Sequence, residues 1–234
     1  MIIAIIAGAR PNFMKVAPII KAIENARALG QDVDYRLIHT GQHYDKKMSG
    51  DFFEQLGIPE PHINLEAGGG SQAEQTAAIM VRFEKAMEAN RPDVVLVVGD
   101  VTSTMACTIV AKKLTIPVVH VEAGIRSGDM TMPEEINRIV TDSICDHFFT
   151  TSEVANKHLR HSGVEDGRIH FVGNTMIDTL YNNIERLKQP GIWKEYKLKT
   201  SGYFLVTLHR PANVDAVNTL RELINKIVTN VEGV

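Results

Sequence analysis

External staples and one-signed charge are both in short supply in this sequence. Its 234 residues contain two cysteines, Cys107 and Cys145. They stand far apart, in neither a CxxC nor a mixed Cys/His framework, which excludes a disulfide scaffold and a zinc site as organising features. Both read as buried thiols. No tail or run of one charge sign interrupts the chain, and 25 Lys and Arg against 28 Asp and Glu leave a formal charge of -3. That balance gives no global attraction to nucleic acid or to an anionic membrane, so an anionic substrate has to be caught by a few locally placed cations. Long apolar runs are missing too. Residues 1–7 are apolar but lack a basic leader and are too short for a signal core or a membrane helix; they read as the first buried strand of a cytoplasmic protein.

What is present is an α/β pattern. At 44% hydrophobic, the chain can build a sizeable core. Short β-branched runs at residues 2–7, 94–98 and 117–121 are each followed by a turn and a helical period, as expected of strands covered on both faces in a doubly wound parallel sheet. Val16, Ile19, Ile20 and Ile23 would line one face of the first crossover helix, and Ala73, Ala77, Met80, Ala86 and Met87 one face of a later one. Further βα units follow as strand 147–150, helix 153–161, strand 169–172 and helix 176–187. Gly68, Gly69 and Gly70 read as a flexible loop before a helix that begins near Ser71.

The pattern predicts a Rossmann-like domain over residues 1–188 and a linker over 189–202, where Pro, Gly, Lys and Trp193 interrupt the periodicity. Residues 203–208 then read as a strand, 209–215 as a turn, and the following segment as a helix with Leu220, Leu223, Ile224 and Ile227 on one side. One strand and one helix cannot enclose a core. Residues 203–234 are therefore expected to be the incomplete start of a second domain.

Ligands of parallel sheets bind at the carboxyl ends of the strands, and several polar residues fall there. The first such turn, Gly8-Ala9-Arg10-Pro11-Asn12-Phe13-Met14-Lys15, lacks the GxGxxG spacing that seats a dinucleotide pyrophosphate, which disfavours nicotinamide or flavin. Arg10 and Lys15 instead place two cations near a helix amino end, suited to a diphosphate, or are solvated surface charges. Asp100 follows the most apolar strand and reads either as a helix N-cap or as a carboxylate in the crevice. Glu122 stands at the end of the next strand, where a solvated face is harder to invoke. Glu134 and Glu135 follow Pro133 and could simply start a helix, but Glu134 and Arg138 are i and i+4, so the cation could hold that carboxylate. Asp100, Glu122 and Glu134 could together surround one carbon for proton removal and return. Gln42 and His43 close the second strand, and His209 and Arg210 the last. His158 and His161 share a helix face without a third ligand, so no metal site is expected.

Six ordered segments, GARPNFMK, HTGQHYD, PDVVLVVGDVTST, HVEAGIRSGDMTMPEEINR, VGNTMID and VTLHRPANVD, resemble the non-hydrolysing UDP-N-acetylglucosamine 2-epimerase family over nearly the whole chain. The resemblance implies the first half of a glycosyltransferase-B-like architecture, two Rossmann-like domains facing across a cleft with UDP held mainly by the second. It implies inversion at C2 of a UDP-sugar without a cofactor: the C2 proton is removed and UDP expelled, then UDP is re-added with protonation from the opposite face. By motif, Arg10 and Lys15 assist at the diphosphate, with Arg138 among the substrate-binding set. Asp100, Glu122 and Glu134 form the carboxylate set, and His209 and Arg210 close the site from the second domain. Gln42 and His43 match a pair that lies in an allosteric site of some bacterial relatives. A homodimer is implied for the full-length form, and no turnover is expected of this chain alone.

Ala212 departs from the HRxEN form of the last motif, which has Glu there. GARPxF, TGQHYD and RSGDMTMPEE also resemble the branch acting on UDP-2,3-diacetamido-glucuronic acid. A glycosyltransferase of the same architecture and a non-catalytic nucleotide-sugar-binding remnant are the remaining readings.

Overall fold

The computed structural model of the chain describes residues 1–41, 56–208 and 211–230. It divides into two compact units, Met1–Glu185 and Arg186–Val234.

The first unit is built on seven parallel strands in the order β3-β2-β1-β4-β5-β6-β7. They are β1 (Ile2–Ala7), β2 (Asp34–His39), β3 (Ile63–Asn64), β4 (Val94–Val98), β5 (Val118–Val121), β6 (His147–Thr150) and β7 (Ile169–Phe171). Alternate side chains serve opposite faces, which is why the strands read as continuous apolar runs. Ile5, Ala7, Leu96 and Val98 enter a core under helix α1 (Arg10–Ala28), with Val16, Ile20 and Ile23 of that helix. Ala4, Ile6, Val95 and Val97 enter another, which holds residues of α2 (Gln72–Ala89) and α3 (Thr102–Lys113). Helices α4 (Pro133–Ile144), α5 (Glu153–His161) and α6 (Thr175–Asn183) complete this unit's longer helices.

Two local features show sequence acting through backbone hydrogen bonding. Ser71 caps α2 and exchanges hydrogen bonds with Glu74 in a capping box. Pro18 inside α1 has no N–H for the Met14 carbonyl, and Thr179 Oγ1 of α6 donates to that carbonyl at 2.5 Å instead. The buried face of α2 differs from the one expected. It is Ile79, Phe83 and Met87 that are buried, while Ala73 and Ala77 are exposed. The large side chains at i, i+4 and i+8 reach the core, and the first turn stands clear of it. Cys107 and Cys145 are buried as expected, and burial pushes both thiols up.

The second unit contains α7 (Ile192–Glu195), α8 (Pro211–Val214) and α9 (Val217–Asn230). The strand expected at residues 203–208 does not form, and Phe204, Leu205 and Val206 are exposed. A strand needs a neighbour for its amides and carbonyls, and no other strand occurs among the described residues of this unit. No helix among the described residues is long and apolar enough to cross a membrane.

Candidate active site

The register Val98↔Val121 between β4 and β5 ends both strands at the same level, so Asp100 and Glu122 leave the sheet on one edge, from neighbouring strands. Each carboxylate meets a cation. Asp100 pairs with Arg138 of α4, and Glu122 with Lys15 of α1; all four side chains are only partly exposed. The Lys15–Glu122 pair lies over Gly99, where φ is 70° and an added methyl group would be 3.2 Å from Lys15 Nζ and 3.7 Å from Glu122 Oε2. Glycine takes the left-handed turn without strain and leaves room for the close approach of the pair.

Side chains from surrounding helices hold the end of β4 by its carbonyls. The Val98 carbonyl accepts from Asn12 Nδ2 at 3.0 Å and Thr104 Oγ1 at 2.9 Å, and the Asp100 carbonyl from Asn137 Nδ2 at 2.8 Å. Asn12 also receives the Gly8 and Ala9 amides at 3.2 and 3.0 Å, which binds the Arg10-bearing turn to the Asp100-bearing one. Asp100 is not an N-cap. Helix α3 starts at Thr102 with Val101 in the cap position, which leaves the Asp100 carboxylate for Arg138.

Glu122 has φ of 70°, a left-handed backbone that costs a non-glycine residue of order 1–3 kcal/mol. The strain is held by the amides of Glu122 and Ala123, both donated to the Phe149 carbonyl of β6 at 2.9 and 3.1 Å. Strain of this kind persists where the surroundings over-determine it, and it clusters at functional sites.

Helix α4 supplies an acid that the motif reading did not select. Arg138 engages Glu135, at 3.2 Å, together with Asp100, rather than Glu134 as expected. Glu135 is buried and accepts the Ser127 amide at 2.9 Å, the Ser127 hydroxyl at 3.0 Å and the Gly128 amide at 3.1 Å. Glu134, one residue earlier, is exposed. The i,i+3 spacing of Glu135 and Arg138 was as available in the sequence as i,i+4; the loop amides that draw Glu135 inward were not.

Burial works against charge on Glu135, but the Ser127 and Gly128 amides, the Ser127 hydroxyl and Arg138 outweigh it and hold the carboxyl at about 2, below its ordinary 4.5. A carboxyl depressed in the fold stabilises the fold above pH 4.5, and that contribution is lost as pH falls toward 2. Glu135→Gln should therefore flatten the acid limb of stability over this window and cost about 1.5–3 kcal/mol near neutrality. Denaturant midpoints measured across pH check this; an acid limb as steep as in the parent chain would contradict it.

A family model described as UDP-N-acetylglucosamine 2-epimerase matches residues 27–233. The chain belongs to the UDP-N-acetylglucosamine 2-epimerase family. Among its relatives, the UDP-N-acetylglucosamine 2-epimerase of Methanocaldococcus jannaschii is 40% identical over 99% of this chain and 63% of its own length. The UDP-2,3-diacetamido-2,3-dideoxy-D-glucuronate 2-epimerase of Pseudomonas aeruginosa is 39% identical over 100% of this chain and 65% of its own. The crystal structure of the M. jannaschii epimerase in complex with UDP-GlcNAc and UDP superposes with a TM-score of 0.84 and covers 98% of this chain and 62% of that one. The chain thus spans a little under two thirds of the length of these epimerases.

Within the epimerase family's motif set, the structure brings Lys15, Asp100, Glu122 and Arg138 to one edge of the sheet. Arg10 opens α1 at the same edge. Gln42, His43, His209, Arg210 and the side chain of Arg10 lie outside the described residues. His158, read from the sequence as solvated, lies 2.9 Å from the Gly124 carbonyl through Nδ1.

Proposed function

We propose that this chain carries the sugar-facing catalytic half of a UDP-sugar 2-epimerase acting on UDP-N-acetylglucosamine. The observation that carries this reading is the pair of carboxylates at the ends of adjacent strands, Asp100 with Arg138 and Glu122 with Lys15, inside a family of 2-epimerases. Asp100, Glu122 and Glu134 form the acid/base set around C2. One carboxylate removes the C2 proton as the C1–O bond to UDP breaks, which leaves a glycal with a C1–C2 double bond. A second acid returns a proton to the opposite face of C2, and UDP re-adds at C1. Arg10 and Lys15, near the amino end of α1, neutralise charge developing on the departing diphosphate, and Arg138 sets the aim of Asp100. The chemistry needs no nicotinamide.

Residues 203–234 belong to the start of a second domain, joined through a linker over 189–202 to the first domain of residues 1–188. His209 joins the catalytic residues and Arg210 the substrate-binding ones, and Gln42 and His43 serve an allosteric site. The complete enzyme is a cytoplasmic homodimer. A second substrate, UDP-2,3-diacetamido-glucuronic acid, is favoured by one observation: the relative named for it is 39% identical, against 40% for the M. jannaschii enzyme.

Uridine and diphosphate contacts supply the binding energy that places the sugar, and the M. jannaschii relative is longer than the span matched here. The 234-residue chain should therefore show no turnover. The same chain completed with the carboxyl-terminal portion of its M. jannaschii relative should interconvert UDP-N-acetylglucosamine and its C2 epimer. Nuclear magnetic resonance of the anomeric protons distinguishes the two sugars. Clear epimerisation by the 234-residue chain would refute the need for the second domain, and failure of both chains on both UDP-sugars would refute the reaction.

A further inference from the structure

Two residues before Glu122, the side chain of His120 is fully buried and has no role in the proton transfer proposed above. Its ring bridges two elements. Nε2 lies 2.8 Å from the Gly99 carbonyl oxygen beyond β4, and Nδ1 lies 2.7 Å from Asp142 Oδ1 on α4. Each ring nitrogen thus faces an oxygen, one of a backbone carbonyl and one of a carboxylate. Asp142 is itself buried, and its second oxygen accepts the Gly124 amide at 3.0 Å and Arg126 Nη1 at 2.6 Å. Burial opposes charge on Asp142, but His120 and Arg126 prevail and hold its carboxyl below the ordinary range.

The two ends of this network are backbone groups that flank the candidate acids. Gly99 immediately precedes Asp100, and Gly124 is two residues beyond Glu122. The neighbouring carbonyls of Val98 and Asp100 are held from α1, α3 and α4, whereas that of Gly99 is held from β5, the strand that ends just before Glu122. A buried polar ring is costly unless its nitrogens find partners. An apolar residue would fill the same space but leave the Gly99 carbonyl and one Asp142 oxygen without these bonds.

We propose that His120 is a positioning residue, whose buried link from the Gly99 carbonyl to Asp142 locks the two strand-end turns together and sets the separation and aim of the Asp100 and Glu122 carboxylates. The proposal rests on the acid/base reading of those two residues. Its content is that the bond to Gly99 matters for rate, beyond what His120 contributes to folding.

Two substitutions separate the halves of the link. The amide of His120→Gln can reach the Gly99 carbonyl but abandons Asp142, while that of His120→Asn can reach Asp142 but abandons Gly99. In the completed chain, His120→Asn should lower kcat about 10- to 100-fold with KM nearly unchanged, because a displacement of an ångström or less at the acids is enough. His120→Gln should recover most of that loss at comparable thermal stability. Equal losses in the two variants, or kcat per folded molecule unchanged in His120→Asn, would overturn the proposal. Glu122→Gln, assayed alongside, separates the two levels: if it too leaves kcat intact, the acid/base reading has failed rather than the positioning alone. In the 234-residue chain itself, carboxyl carbon resonances of Asp100 and Glu122 should shift in His120→Asn and return toward the parent values in His120→Gln. Unmoved resonances in His120→Asn would likewise overturn the proposal, whatever the activity of the completed chain.

Discussion

Glu122→Gln in the completed chain should lower epimerisation by about two to four orders of magnitude while UDP affinity stays nearly unchanged. Gln keeps the shape and hydrogen-bonding capacity of the side chain but cannot accept the C2 proton. The strained backbone at this position, with φ of 70°, is held by the amides of Glu122 and Ala123 on the Phe149 carbonyl, and both amides survive the substitution. What is lost structurally is the ion pair to Lys15, in which Glu122 is about a quarter exposed. Partly solvated pairs of this kind are worth about 0–1 kcal/mol, so folding cannot account for a loss of that size. Asp100→Asn and Glu134→Gln should behave similarly if the three acids act as a set, and combining them should cost far less than the product of the single losses. Steady-state rates with separately measured UDP binding check this. Full activity in Glu122→Gln would remove that residue from the proton path.

The sheet and the edge that carries the acids were legible in the sequence because the information is local. Runs such as Val94–Val98 are apolar on every residue because both of their faces are covered, and their turns place polar residues where strands end. The misreadings came where packing partners decide. Helix α2 offers two sets of apolar residues at helical spacing, and only the core shows that Phe83 and Ile79 are the ones it buries. Residues 203–208 have strand composition, but composition cannot supply the neighbour that a strand requires. Arg138 had acids at both i-4 and i-3. The choice of Glu135 was made by the amides of Ser127 and Gly128, which belong to a loop before the helix. His120 carried no usable signal as one histidine inside an apolar strand; its bonds to Gly99 and Asp142 join residues 21 and 22 positions away. Asn12 and Asn137 were inconspicuous for the same reason, since each takes its importance from a backbone carbonyl of the β4 turn.

The two acids also bear on the rival architecture. A glycosyltransferase would have to place an acceptor hydroxyl against C1 and would leave C2 untouched, so it has no evident use for carboxylates at the ends of two neighbouring strands. An epimerase must break the C2–H bond and re-form it from the other face, and the returning proton comes from an acid in exchange with solvent.

Epimerisation in deuterated water therefore tests the central claim most directly. With the completed chain and no added nicotinamide, the account predicts deuterium at C2 of the product, because the abstracted proton exchanges with solvent before an acid on the other face delivers its own. Mass spectrometry of the product sugar, with the position fixed by loss of the C2 proton resonance, reads this out. Product that retains its original C2 hydrogen would contradict proton transfer by Asp100, Glu122 and Glu134, and with it the function assigned to this site.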